Sequence, residues 1–242
     1  MNAKTYTALA ASTILLLTGA LAADAPNGGR RASQEALKPF AGLVGEWRGT
    51  GQPQRSSPKG AWRESANWAW KLGPESAALE VSFAKGKYLQ SALLRPEKEQ
   101  GTFALDATLA DGSKRTFVGK AVKDKPLVLL AKTAEGEGPS RVSLQPLHDT
   151  RFLLLLEARN AGDAGFHRLA EVGYTREGVA FAAGESGPVC IVTEGRGTTQ
   201  VSYQGKTYWV CCSGCKDLFN ENPAAVLAEA AERQKAKDKG KK

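Results

Sequence analysis

Thr102-Phe103-Ala104-Leu105-Asp106-Ala107-Thr108-Leu109 is the stretch on which the fold turns. Phe103, Leu105, Ala107 and Leu109 alternate with Thr102, Ala104, Asp106 and Thr108. That period of two marks a strand with one face in a core and the other half wet. Asp111-Gly112 follows and predicts a two-residue hairpin turn into a partner strand over 113–118. Working outward, segments 43–49, 61–71, 78–84 and 88–94 read as strands before this hairpin. Segments 127–132, 141–144, 151–158 and 166–174 read as strands after it. Lys85-Gly86, Arg95-Pro96, Gly136-Glu137-Gly138-Pro139 and Asn160-Ala161-Gly162-Asp163 punctuate them as turns. About ten short strands at this spacing predict a mainly β fold, an antiparallel barrel or sandwich, and of the two a barrel is expected because closure would leave no exposed edge.

Residues 37–178 make up this barrel domain. Its opening strand carries Gly45-Glu46-Trp47-Arg48-Gly49-Thr50-Gly51, and its last carries Tyr174-Thr175-Arg176. Both resemble the first and last strands of calycin-type barrels, such as lipocalin-like and nitrobindin-like proteins. The resemblance implies that Trp47 closes one barrel end and that the interior binds a small apolar ligand or haem. Trp62, Trp68 and Trp70 share parity and therefore one face of a strand. Large aromatics on an inward face fill a barrel more often than they line a pocket, and Tyr88 reads the same way.

The ends of the chain differ from the barrel. Lys4, an apolar run over residues 8–17 and Ala20-Leu21-Ala22 form a secretory signal with a small-x-small cleavage site, so residues 1–22 predict a periplasmic or secreted protein. The apolar run is short for a membrane span, and no later segment reaches the roughly 20 apolar residues one needs. No cysteine follows the cleavage site, so a lipid anchor is not expected. Residues 23–36 read as a flexible leader, and 233–242 as a basic, disordered tail. The net charge of +8 resides mostly in that tail, where six basic residues stand against Asp238 alone. With so small a surplus left on the body, nucleic acid is not an expected partner.

All four cysteines lie in residues 187–232: Cys190, then Cys211, Cys212 and Cys215. A hairpin, with strands 201–203 and 207–210 around Gln204-Gly205-Lys206, can return the chain to Cys190. Helical turns over 215–219 follow, then a second helix over 224–237, with Asn222 as N-cap and Pro223 at its first position. Thiophilic ions such as zinc and copper(I) want three or four convergent thiolates. A helix beginning by Cys211 would put Cys211 and Cys215 on one face. Alternatively Cys212 and Cys215 form a C-x-x-C knuckle and Cys211 ends the strand. Two other readings compete: structural disulfides, common in exported proteins with an even cysteine count, and a Cys212–Cys215 redox pair.

Pro188-Val189-Cys190, the run Tyr203-Gln204-Gly205-Lys206-Thr207-Tyr208-Trp209-Val210-Cys211, Gly214-Cys215, Phe219 and Asn222-Pro223 resemble the YHS/TRASH family of small metal-binding modules. The resemblance implies a hairpin-plus-helix unit that binds copper, zinc or another heavy metal, with Cys190, Cys211 and Cys215 as ligands. Gly187 stands where the family often has Asp, Ile191-Val192 replace its Gly-Met, and Cys212 is an additional thiol. The metal set expected here is therefore Cys190, Cys211, Cys212 and Cys215.

Catalytic chemistry finds little support. His148 falls in a Leu147-His148-Asp149 turn, and His167 lies in a strand beside Phe166 and Arg168 as a partly buried histidine or a haem or metal ligand. Ser186, in Gly184-Glu185-Ser186-Gly187, lacks the glycine spacing of a nucleophile elbow. Glu46, Glu64 and Glu80 do not pair as acid and base. The expected function is metal binding rather than catalysis.

Overall fold

The computed structural model describes residues 28–133, 137–159, 162–177 and 187–239. The signal expected over 1–22 lies outside them. Strands β1 (Gly45–Gln52), β2 (Trp62–Leu72), β3 (Ala77–Ala84), β4 (Leu89–Pro96) and β5 (Thr102–Leu109) follow one another around a closed barrel. The circuit continues through β6 (Lys114–Lys120), β7 (Leu127–Ala131), β8 (Arg141–His148), β9 (Arg151–Ala158) and β10 (His167–Arg176). Each pairs antiparallel with its sequence neighbour, and β10 returns to β1 with Gly49 opposite Tyr174 and Trp47 opposite Arg176. Closure satisfies the backbone of both terminal strands, which an open sheet would leave exposed.

The alternation read from 102–109 holds with one exception: Phe103, Leu105, Ala107 and Leu109 are buried and Thr102, Asp106 and Thr108 half-buried, but Ala104 of the outward set is also buried. Outward Asp106 takes up Arg95 at 2.7 Å and Thr116 at 2.7 Å across its two neighbouring strands. The turn differs from the expected two-residue form. Leu109 N–H donates to Ser113 O, Gly112 N–H donates to Leu109 O, and Gly112 has φ +85°. This is a three-residue loop with glycine in the left-handed position, because Asp111 keeps a negative φ and uses its carboxylate to accept from Ser113 N–H at 2.9 Å.

Aromatic rings fill the barrel. Trp68 and Trp70 point inward as their parity requires, and Trp62 is half-buried on the same face. Phe152 stacks on Tyr174 at 4.3 Å and meets Trp47 edge-on at 4.8 Å and Trp68 at 6.4 Å. Gly49 makes this possible: a Cβ there would sit 2.6 Å from the Tyr174 ring. Glu64 is buried among these rings, accepting from the Tyr174 hydroxyl, from the Trp62 indole at 2.6 Å and from Lys87 N–H at 3.4 Å. A buried carboxylate held by three donors is tolerated where an unpaired one would not be. Burial, and then the facing Glu64 carboxylate, push the Tyr174 hydroxyl well above its ordinary pKa.

A 3₁₀ helix, Lys38–Leu43, plugs the barrel end at which β1 begins. Trp47 is fully buried there, donates its indole N–H to Leu43 O at 2.7 Å and lies under the Arg176 guanidinium at 4.2 Å. Arg176 donates to the carbonyls of Gly42, Val44 and Asp149, tying the plug to the last strand.

Two segments expected to be unstructured are helical. Of the leader, residues from 28 on form helix α1 (Gly28–Leu37), packed on β3 and β4 with Leu37 and Arg30 buried. Of the tail, residues up to 239 belong to helix α3 (Pro223–Lys239). The two ends brace each other, Arg30 to Glu229 at 2.5 Å and Arg31 to Glu232 at 3.0 Å. Local composition favoured disorder, and these long-range pairs outweigh it. Among the described residues, no helix is long and apolar enough to cross a membrane.

Candidate metal centre

Strands β11 (Thr199–Tyr203) and β12 (Lys206–Val210) form the second, two-stranded sheet. Their turn has Gln204 and Gly205 both at positive φ, 49° and 74°, the twist that suits a two-residue hairpin. The hairpin then carries the Cys190 loop. Ile191 N–H donates to Trp209 O at 2.8 Å, and Thr198 N–H donates to Val210 O at 2.8 Å. Within the loop, Cys190 N–H donates to Gly195 O at 2.7 Å, and Glu194 N–H donates to Cys190 O at 2.9 Å. These bonds lay Cys190 beside the end of β12, where Cys211 begins the next turn.

Helix α2 (Ser213–Glu221) starts one residue after Cys212, whose carbonyl accepts its first helical bond from Lys216 N–H. Cys211 thus ends the strand, Cys212 occupies the N-cap, and Cys215 sits in the first turn. Neither arrangement open from the sequence holds in full: the helix begins only after Cys212, yet Cys211 and not Cys212 converges with Cys215 and Cys190. Asn222 ends α2 and caps α3, its side-chain oxygen accepting from Ala225 N–H at 3.1 Å. Helix α3 secures the cysteine loop in turn. Arg233 donates to Ile191 O at 2.6 Å, and Lys237 pairs with Glu194 at 2.8 Å.

The sulfurs of Cys190, Cys211 and Cys215 all lie within 4.8 Å of one another. Cys190 and Cys215 are fully buried and Cys211 is 6% exposed. The Cys211 and Cys215 sulfurs are 3.5 Å apart. Cys212 stands outside the mutual triad, half-buried, with its sulfur 3.8 Å from that of Cys211. None of the four is disulfide-bonded. The separations exceed by far the roughly 2.05 Å of an S–S bond. They agree with the roughly 3.8 Å expected between two thiolates 2.3 Å from one tetrahedral ion. Three buried soft donors with a fourth alongside therefore fit a thiophilic cation.

The thiols share their protons unequally. Hydrogen bonds from Cys211 and then Cys215 pull the Cys190 pKa down to about 2. The bond to Cys190 pushes Cys211 up, and Cys215 is pushed well up for the same first reason. Cys212, bonded first to Cys211, is lowered to about 3. The four thiols thus form one hydrogen-bonded group, and the protons held up on Cys211 and Cys215 are the ones a bound cation would replace.

Two contacts at the centre have no signal in the sequence. The Thr193 hydroxyl lies 3.4 Å from the Cys211 sulfur. Trp70 N–H donates to the Cys212 sulfur at 3.3 Å, across 142 residues. Trp70 lies on β2 beyond Trp68, where the pairing with β1 ends, so its β1-facing N–H and C=O are left for α2. Gly214 packs directly there: a Cβ would fall 1.7 Å from the Trp70 carbonyl oxygen. Replacing Gly214 with alanine should therefore push α2 off β2 and lower the free energy of unfolding by about 1–3 kcal/mol. Chemical denaturation would measure it, and an unchanged stability would show that this contact bears no weight.

The other residues singled out lie away from this cluster or outside the description. His148 is the exposed last residue of β8, 2.8 Å from the Thr150 hydroxyl, rather than part of the turn itself. His167 opens β10 and is exposed, not partly buried, because its strand emerges there from a loop at the barrel rim. Neither belongs to the convergent cysteine group. Ser186 falls outside the described residues.

No family model matches the chain. No curated protein matches it either. The solved structures similar to it include a crystal structure of Rv2717c from M. tuberculosis, at a TM-score of 0.41 and 18% identity. That match covers 59% of this chain and 97% of the other.

Proposed function

We propose that this chain is an exported binding protein for a thiophilic heavy-metal ion, copper or zinc. Cys190, Cys211 and Cys215 hold the ion, and Cys212 is an additional or replacement ligand. The observation that carries this reading is the convergence of three buried sulfurs from two separate stretches of chain within 4.8 Å. Burying three thiols in mutual contact gains little from packing alone, whereas a soft cation bonds all three. The run from Pro188 to Pro223 that resembles YHS/TRASH modules supports the same reading. The secretory features of residues 1–22 support a periplasmic or secreted location. Binding rather than catalysis is the role, because the convergent groups are soft ligands and not an acid–base pair.

The alternative is a calycin-like binder of a small apolar molecule or haem, stapled by disulfides. Such a ligand would have to displace the Trp47, Trp68, Phe152 and Tyr174 rings, which are already in contact with one another. Metal analysis of anaerobically purified protein tests the proposal. The parent should carry metal and a Cys190→Ser, Cys211→Ser, Cys215→Ser triple variant should carry none. Equal metal content in the two would refute it.

A further inference from the structure

Among the buried thiols of this centre, one is placed differently. Cys190 and Cys215 have no solvent exposure, and Cys211 almost none. Cys212 is half-buried and stands just outside the mutual triad, its sulfur 3.8 Å from that of Cys211. A cavity of about 910 Å³ lies between the plugged barrel end and the cysteine loop. Its walls, among the described residues, include Trp70 and Arg176 from the barrel and Thr193, Cys211 and Cys212 from the cysteine segment. Cys190 and Cys215 do not line it. An ion reaching the triad from this cavity meets Cys212 and Cys211 first.

Cys212 touches both the barrel and the triad, meeting Cys215 as well as the two partners that follow. Its sulfur rests against Trp70 N–H at 3.3 Å, a weak bond to sulfur, and lies 3.8 Å from the sulfur of Cys211. The first contact anchors it on the barrel, and the second keeps it one thiolate spacing from the triad. Its backbone is fixed meanwhile, because the Cys212 carbonyl starts α2. Side-chain rotation about a fixed N-cap is a small motion, faster than any rearrangement of the loop.

We propose that Cys212 is the exchange ligand of the centre, taking the ion from the cavity and returning it there, while Cys190, Cys211 and Cys215 are the resting ligands. The proposal rests on the metal-binding reading above. During release, the Cys212 thiolate leaves the Trp70 N–H and bonds the ion. Cys211 then gives up its bond to the ion and takes a proton from water. A competing ligand in the cavity next replaces the remaining thiolates one at a time. Each sulfur–metal bond broken is matched by one formed, and neither sulfur nor metal changes oxidation state. Uptake runs the same steps in reverse.

Full-length parent, Cys212→Ser and Cys190→Ser proteins would be loaded anaerobically with zinc(II), and separately with copper(I). Each would then be mixed with an excess of a chromophoric chelator. The parent and Cys212→Ser should bind the same amount of metal, and Cys212→Ser should release it at least tenfold more slowly. Cys190→Ser should hold little or none. In the loaded parent, a small alkylating agent should modify Cys212 at least tenfold faster than the other three. Full loading of Cys212→Ser with an unchanged release rate would overturn the exchange role and leave metal binding standing. Loss of metal from Cys212→Ser would make Cys212 a resting ligand and overturn it equally. Failure of the parent to bind either ion, or full metal retention by Cys190→Ser, would defeat the metal reading itself.

Discussion

Stripping the metal-loaded protein with a strong chelator should lower the unfolding temperature of the cysteine-bearing segment by more than about 15 °C. A ligand present at a thousand times its dissociation constant adds about 4 kcal/mol to the state that binds it. For a small domain, each kcal/mol moves the midpoint by roughly 4–8 °C. The stabilisation is local, because the ligands come from a loop, a strand end and the first turn of α2. Without the ion, these pieces are joined by backbone bonds such as Ile191 N–H to Trp209 O and Thr198 N–H to Val210 O. Hydrogen exchange at those amides would follow the segment separately from the barrel.

Acid should act in the same direction as the chelator. Cys211 and Cys215, whose pKa values are pushed up, hold their protons in the free protein and must release them to bind the ion. Metal binding therefore weakens as pH falls, and the thermal difference between loaded and stripped protein shrinks with it. Melting curves that coincide with and without chelator, once metal removal is verified, would sink the expectation.

Trp47→Ala should destabilise the barrel by about 3–5 kcal/mol, the range for emptying a fully buried large aromatic site. Three separate losses combine at this position. The void opens against Phe152, whose ring is 4.8 Å away. Leu43 O loses the indole N–H that reaches it at 2.7 Å, in a buried setting where an unpaired carbonyl is costly. Arg176 loses the ring 4.2 Å beneath its guanidinium, though it keeps the carbonyls of the plug. Trp47→Phe retains most of the ring and gives up the donor, so it should cost less than half as much. Urea unfolding followed by circular dichroism would measure both. A loss below about 1 kcal/mol for the alanine variant would mean that the plug does not depend on Trp47.

Metal loading and the Trp47 plug belong to parts of the chain that differ in how openly their order is written. Along 102–109 the alternation is broken only at Ala104, so side-chain parity assigned the inward face, and the shared parity of Trp68 and Trp70 did the same for β2. The second hairpin was legible from Gly205, which suits positive φ, although Lys206 belongs to β12 rather than to the turn and Gln204 adopts positive φ without any local signal for it. Local signals failed at the two ends of the chain. Gly28–Leu37 and the lysine-rich end of α3 have compositions suited to disorder; the first is held by buried Leu37 and by Arg30–Glu229 and Arg31–Glu232, the second by Arg233 on Ile191 O and Lys237 on Glu194. His167 was misjudged because a strand pattern gives the parity of a residue but not how far its end emerges from the rim.

Residue order alone established about ten antiparallel strands for a barrel or sandwich, a hairpin-and-helix segment after them, and four thiols confined to that segment, while the pairing of β10 with β1 closed the barrel. Spacing could not choose between Cys211 and Cys212 as the inward sulfur, since both precede the same helix. Three-dimensional packing made that choice. Strand β2 outruns β1, and its spare N–H at Trp70 draws the Cys212 sulfur outward to the barrel, while Cys211 turns in beside Cys190 and Cys215. A hydrogen bond between residues so distant in the chain depends on how the whole barrel closes, and no local pattern encodes it.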